Sequence, residues 1–162
     1  DLHKEYRRQR QMCIRDRVNI YILNDIKGPG RKKNASYIYA IEMAQPKVKG
    51  CIKEIGTVTD STANQAELIA LIEALGRFNR KCVLNIHTSN KHLLGAFAND
   101  WTQGWQKNSW RTASGREVAN RHEWERLLSM LEGHLVRVCE LDAVHLNMLE
   151  AELYKNDGKN YL

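Results

Sequence analysis

The chain has 162 residues, 43% of them hydrophobic in type, and a formal net charge of +6. That length and apolar content suit one compact domain with its own core. No apolar run approaches the length needed to cross a bilayer, and no membrane partner is expected. Cys13, Cys51, Cys82 and Cys139 lack the paired spacing of a zinc or redox motif. The last three fall in apolar or strand-like contexts, which predicts buried, reduced thiols and a cytoplasmic setting.

Residues 1–17 read unlike the rest, being basic and without an apolar period. The segment back-translates into a string that looks like a sequencing-library adapter, a short index followed by a transposase end. It is read as an assembly artefact, unstructured and outside the fold. The alternative is a disordered basic arm that touches nucleic acid. A genomic codon run matching these residues upstream of Val18 would refute the artefact. The segment supplies half of the formal charge. The remainder is mildly basic, which permits a polyanionic partner without demanding one.

Val18 to Leu23 reads as a strand, rich in β-branched and aromatic residues. Lys27 to Asn34 is a turn with a charged tip, and Ser36 to Glu42 a second strand. Pro46 to Gly50 turns the chain into a third strand, Cys51 to Val58, completing an antiparallel meander. The period then changes. Leu68, Leu71, Ile72, Leu75 and Phe78 share one helical face, with Ser61 or Thr62 as N-cap.

Cys82 to His87 is a fourth strand, and its place after a helix favours a parallel crossover. Lys91 to Phe97 and Asp100 to Lys107 read as helices, Ser109 to Arg121 as polar loop. His122 to Leu131 is a further helix with Trp124, Leu127, Leu128 and Leu131 as its stripe. Leu135 to Cys139 is a fifth strand, and Leu146 to Tyr154 a closing helix.

Several motifs in this order resemble type 1 ribonuclease H. Val18-Asn19-Ile20-Tyr21 is similar to the family's opening strand. Thr62-Ala63-Asn64-Gln65-Ala66-Glu67-Leu68 is similar to its Thr-x-Asn-x-x-Glu-Leu. Trp101, Trp105, Trp110-Arg111-Thr112-Ala113 and Val118-Ala119-Asn120 resemble the bacterial handle region, and Trp124-Glu125-Arg126-Leu127 the helix after it. The resemblance runs from Val18 to about Tyr154. It implies an α/β ribonuclease H-like fold: a five-stranded mixed sheet, three strands antiparallel plus two parallel, flanked by helices. One such domain is expected over residues 18–162, as a monomer.

In that family, four carboxylates bind two Mg2+ ions that activate water and stabilise the leaving oxygen on the RNA strand. Such metal pairs lie about 3.5–4 Å apart, and each Mg2+ takes oxygen ligands at roughly 2.0–2.1 Å. Carried over one at a time, the first position falls at Leu23, which cannot ligate a metal. Asp25 lies on the same strand face about 6.6 Å on, so it substitutes only through a bulge. Asn24 is neutral and points to the other face. The second position is Glu67, an acid; without the resemblance it reads as a first-turn acid favouring the helix dipole.

The third position falls at Ser89 or Asn90, neither of them anionic. The fourth falls at Ala151, with Glu150 and Glu152 each turned about 100° away. The family's Gly-x-His loop has its nearest counterpart in His145, which reads as a surface or capping histidine. With three acids replaced, little or no hydrolysis is expected. Mg2+ is implied only if the site is active, with Glu67 and Asp25 as its ligands.

The resemblance also implies contacts to an RNA–DNA hybrid or duplex through Thr62 and Asn64, and an interface of Lys91, Trp101, Trp105, Lys107, Trp110 and Arg111. Interleaved Trp and cations can grip a backbone and stack on bases. Equally, Trp101 and Trp105, four residues apart, can pack the handle onto the body. Three readings stand: a degenerate binding domain, an active ribonuclease with a rearranged carboxylate site, and a protein-interaction module on the same fold.

Overall fold

The structure, a computed structural model, describes residues 16–27, 31–43 and 50–159. Most of the suspected artefact, with Cys13, and parts of the first two turns lie outside the described residues. The elements in chain order are β1 (Arg17–Asn24), β2 (Lys33–Met43), β3 (Cys51–Ser61), α1 (Ala63–Leu75), β4 (Val83–Thr88), α2 (Lys91–Ala98), α3 (Trp101–Lys107), α4 (Arg121–Leu131), β5 (Leu135–Glu140) and α5 (Ala143–Lys159). The sheet order is β3-β2-β1-β4-β5. β2 runs antiparallel to β1 and β3, while β1–β4 and β4–β5 are parallel. This is the expected five-stranded mixed sheet.

The boundary at Val18 moves. Arg17 already lies in β1 opposite Val83, and the Val83 N–H donates to the Asp16 carbonyl at 2.8 Å. A ladder needs only backbone groups, so any residue but proline can extend it. The closing helix also begins earlier than the apolar pattern predicts, because Asp142 supplies a cap. Its carboxylate accepts the His145 N–H at 3.2 Å, and its carbonyl accepts the Leu146 N–H at 2.9 Å. Phe78 falls beyond the end of α1 and packs from the following turn.

Strand alternation splits the core in two. Val18, Ile20 and Ile22 face the larger layer with α1, α2 and α4. Tyr21 and Leu23 face a smaller layer with Ile38, Ala40 and the α5 residues Leu149 and Leu153. α1 is apolar almost all round, burying Ala66, Leu68, Ala70, Leu71, Ile72, Ala74 and Leu75. Thr62 is its N-cap, accepting the Gln65 N–H at 3.2 Å. Cys82 is buried as expected, whereas Cys51 opens the edge strand β3 and is exposed. No helix among the described residues is long and apolar enough to cross a membrane.

Tyr37 on β2 lies across from Gly56 on β3, with its ring over the glycine. A Cβ at residue 56 would collide with that ring. Gly56→Ala is therefore expected to destabilise the fold by about 1–3 kcal/mol, the usual cost of overpacking. Urea unfolding midpoints of the two proteins measure this; an unchanged midpoint would show that Tyr37 swings away freely.

Candidate active site and handle

Glu67 is the fifth residue of α1 and is 2% exposed. α1 has no acid in its first turn, so the helix-dipole reading of Glu67 is corrected: the carboxylate sits one turn further in, against the sheet. Its Oε2 accepts from Asn24 Nδ2 at 2.6 Å and its Oε1 from the Thr88 hydroxyl at 3.1 Å. Asn24 Nδ2 also lies 3.2 Å from the Ala63 carbonyl, and its Oδ1 accepts the Ile26 N–H at 3.1 Å. Thr88 Oγ1 in turn accepts the Asn90 N–H at 3.0 Å. One buried acid thus joins the ends of β1 and β4 to α1. Burial pushes Glu67 up to about 7, against the Thr88 and Asn24 hydrogen bonds that favour its charged form.

The other expected positions separate. Leu23 is 8% exposed and packs into the smaller core. The β1–β2 register runs unbroken from Val18 to Asn24, with no bulge to bring Asp25 inward. Asp25 instead extends the ladder: its N–H donates to the Ser36 carbonyl at 3.1 Å, and its carboxylate accepts the Ser36 N–H at 2.9 Å. Ser89 is exposed. Asn90 caps α2 by accepting the Leu93 N–H at 2.9 Å, and its amide donates to Asn64 Oδ1 at 2.9 Å.

Ala151 is exposed and lines a cleft of about 490 Å³ with Leu23, Asn24, Asp25, Lys27 and Glu150. Neither Glu67, which is buried with Asn24 on its Oε2, nor Glu152 is among the described residues that line it. His145 is no loop residue. It lies in the first turn of α5, with Nδ1 2.6 Å from Asp142 Oδ1 and its ring stacked on Tyr21 at 4.0 Å.

These side chains do not fit a pair of divalent cations. Among the described residues no group of three or more His, Cys, Asp or Glu converges to hold a metal. The carboxylate oxygens of Glu67 already face an amide and a hydroxyl. Asn24 and Thr88 had only weak signals in the sequence. Asn24 is one residue out of phase with Leu23, and Thr88 is a lone hydroxyl closing an apolar strand, yet both meet Glu67.

The handle side chains stack on one another. Trp105 meets Trp124 edge-on at 5.2 Å and Trp110 at 6.1 Å, and the His92 ring lies 5.6 Å from Trp101. Trp110 is 8% exposed with left-handed backbone at φ 59°, so its ring packs the handle and is not free to stack on a base. Trp101 is 39% exposed and rests against Gly95. Lys91, Lys107 and Arg111 are exposed, though the Arg111 guanidinium donates to the Gly115 carbonyl at 3.0 Å. Thr62 spends its hydroxyl on the α1 cap, while Asn64 is half-buried beside Asn90.

Residues 27–145 match the family model for RNase H. The ribonuclease H of Chlorobium chlorochromatii (strain CaD3) is 38% identical over 82 residues, covering 51% of this chain and 56% of that protein. The chain thus spans about half the length of the curated relatives it matches. Among solved structures, LC9-RNase H1, a type 1 RNase H with the type 2 active-site motif, aligns with a TM-score of 0.65 at 19% identity. That alignment covers 80% of this chain and 64% of the other. The foamy viral protease-reverse transcriptase in complex with RNA/DNA hybrid aligns at 0.59 and 14% identity, over 85% of this chain and 19% of that one. At such identities these two likenesses concern the fold. The chain belongs to the RNase H family.

A carboxyl whose folded pKa is raised stabilises the fold most below its unfolded value, near 4.3, and that contribution is lost as pH climbs through about 7. Glu67→Gln removes the titration. The stability of the parent relative to Glu67→Gln should therefore fall between pH 4.5 and 8, by on the order of 3 kcal/mol. Urea unfolding at several pH values tests the sign; a difference that grows with pH would contradict a buried, reluctantly ionised Glu67.

Proposed function

We propose that this chain is a nucleic-acid-binding RNase H domain that engages an RNA–DNA hybrid or duplex and cleaves it little or not at all. The observation that carries this reading is the coordination of Glu67 by Asn24 and Thr88, with Leu23 in the core and Ala151 in the cleft wall. Two close dications repel strongly and need anionic oxygens around them. A lone buried acid capped by neutral donors does not supply them. Binding requires less. A-form-like duplexes are gripped by shape, phosphate and 2′-hydroxyl contacts. Lys91, Lys107, Arg111 and Trp101 are all exposed on α2, α3 and the segment after them, and Asn64 lies next to the α1 cap in sequence. The foamy viral relative in fold is a hybrid complex, which supports the choice of ligand.

Asp25 and Glu150 line one cleft, and this favours the second reading, a rearranged carboxylate site. A labelled hybrid incubated with Mg2+ or Mn2+ separates the two. No cleavage above a buffer control is expected; robust cleavage that disappears in Glu67→Gln would refute the binding-only reading. Binding should weaken steeply with salt, with a log–log slope of several units if several phosphates are contacted. A flat, weak isotherm would leave the protein-interaction module. Trp101→Ala should weaken hybrid binding by about tenfold, the low end for loss of one stacked base, with an unchanged circular dichroism spectrum.

A further inference from the structure

A second constellation lies on the α5 face of the sheet, away from Glu67. The parallel registers put His87 opposite Tyr21 on one side and opposite Cys139 on the other. Cys139 Sγ is 3.2 Å from His87 Nδ1, and His87 Nε2 is 3.1 Å from Asn19 Oδ1. A carbonyl oxygen only accepts, so Asn19 holds the imidazole proton on Nε2 and leaves the Nδ1 lone pair facing the thiol. The Tyr21 ring stacks on His87 at 4.4 Å and 17°, which fixes the imidazole plane. The same Tyr21 carries His145 on its other side. α5 packs over β1 and β2. Towards β4 and β5 the face carries exposed Arg137 and half-buried Asn85, His87 and Cys139, so Cys139 is partly open to solvent.

We propose that Cys139 is a base-assisted reactive thiol, a covalent modification site for small soft electrophiles. The Sγ–carbon bond forms as the bond from carbon to its leaving group breaks. The leaving group departs with the bonding pair, and the thiol proton passes to His87 Nδ1. Nothing further is consumed. Asn19 is a positioning residue that sets the tautomer, and Cys139 and His87 do the chemistry.

The electrostatics fit a neutral pair. Burial pushes the Cys139 thiol up, with Arg137 pulling the other way. Burial and the nearby His145 hold His87 down, against the pull of Asp142 and Glu42. Both shifts keep the resting pair neutral and make proton transfer before attack unfavourable, so His87 Nδ1 takes the proton only as the Sγ–carbon bond forms. Thiolates, not thiols, are the nucleophiles. Without a base, half-buried Cys139 would react more slowly than the exposed Cys51. With the base, Cys139 at least matches Cys51.

Iodoacetamide labelling of the full chain at pH 7, followed by peptide mass spectrometry, compares both cysteines in one molecule. Cys139 should alkylate at least as fast as Cys51. His87→Gln should slow Cys139 by tenfold or more, a modest share of what general-base assistance contributes, and leave Cys51 unchanged. Slower labelling of Cys139 than of Cys51 in the parent protein, or a smaller loss in His87→Gln, overturns the proposal. Should His87→Gln open the fold, shown by labelling of buried Cys82, Asn19→Ala carries the test: a slowed Cys139 supports the proposal and an unchanged rate overturns it.

Discussion

The arrangement of this molecule turns on one desolvated carboxylate. Moving an acid from water into a protein interior costs several kcal/mol unless its oxygens find donors or it takes a proton. Glu67 does the first with Asn24 and Thr88 and is pushed towards the second by burial. Those two donors sit at the ends of β1 and β4, the two central parallel strands, and Glu67 reaches them from α1. The hydrogen bonds therefore set how the first helix meets the sheet. Thr88 passes the constraint to Asn90, which starts α2 and holds Asn64 on α1. Neutral side chains, Asn24, Thr88, Asn90 and Asn64, thus extend from the one buried carboxylate along the ends of β1 and β4 to α1 and α2.

The two faces of the sheet have separate characters. On the α1 face, β-branched strand residues and α1, α2 and α4 close a dry core, and the aromatic cluster around Trp105 and Trp124 ties the handle to it. Among the described residues of α2, α3 and α4, Trp101 is the large hydrophobic side chain that is exposed. On the α5 face the layer is thinner. Leu149 and Leu153 cover Leu23, Ile38 and Ala40, after which rings take over: His145 on Tyr21 on His87, ending at Cys139.

Family membership and the chemistry of the site rest on different features of the chain. Membership follows from a match over most of the chain. Chemistry depends on individual oxygens, and a fold does not dictate it. Leu23 lies in the core and Asn24 faces the acid, on a sheet whose strand order does not depend on what those two side chains can bind.

Local sequence determined the elements. Alternation in Val18–Leu23, the helical stripe from Leu68 to Leu75 and the Thr62 cap are short-range signals that set strand, helix and start site, and the ordered motifs point to the topology that joins them. Cys51 escaped that logic because a strand-like context does not say whether the strand lies at an edge. The ends of α5 and β1 escaped it because a cap and a backbone ladder carry little apolar signal. Only tertiary structure decided that Asn24 meets Glu67, that Asp25 turns to Ser36, that Trp110 is buried, and that Asn19, His87 and Cys139 share a line across three strands. These contacts join residues 11 to 68 positions apart, or follow from packing of the whole handle. Such distances in sequence become distances in space only when strand order and register are settled.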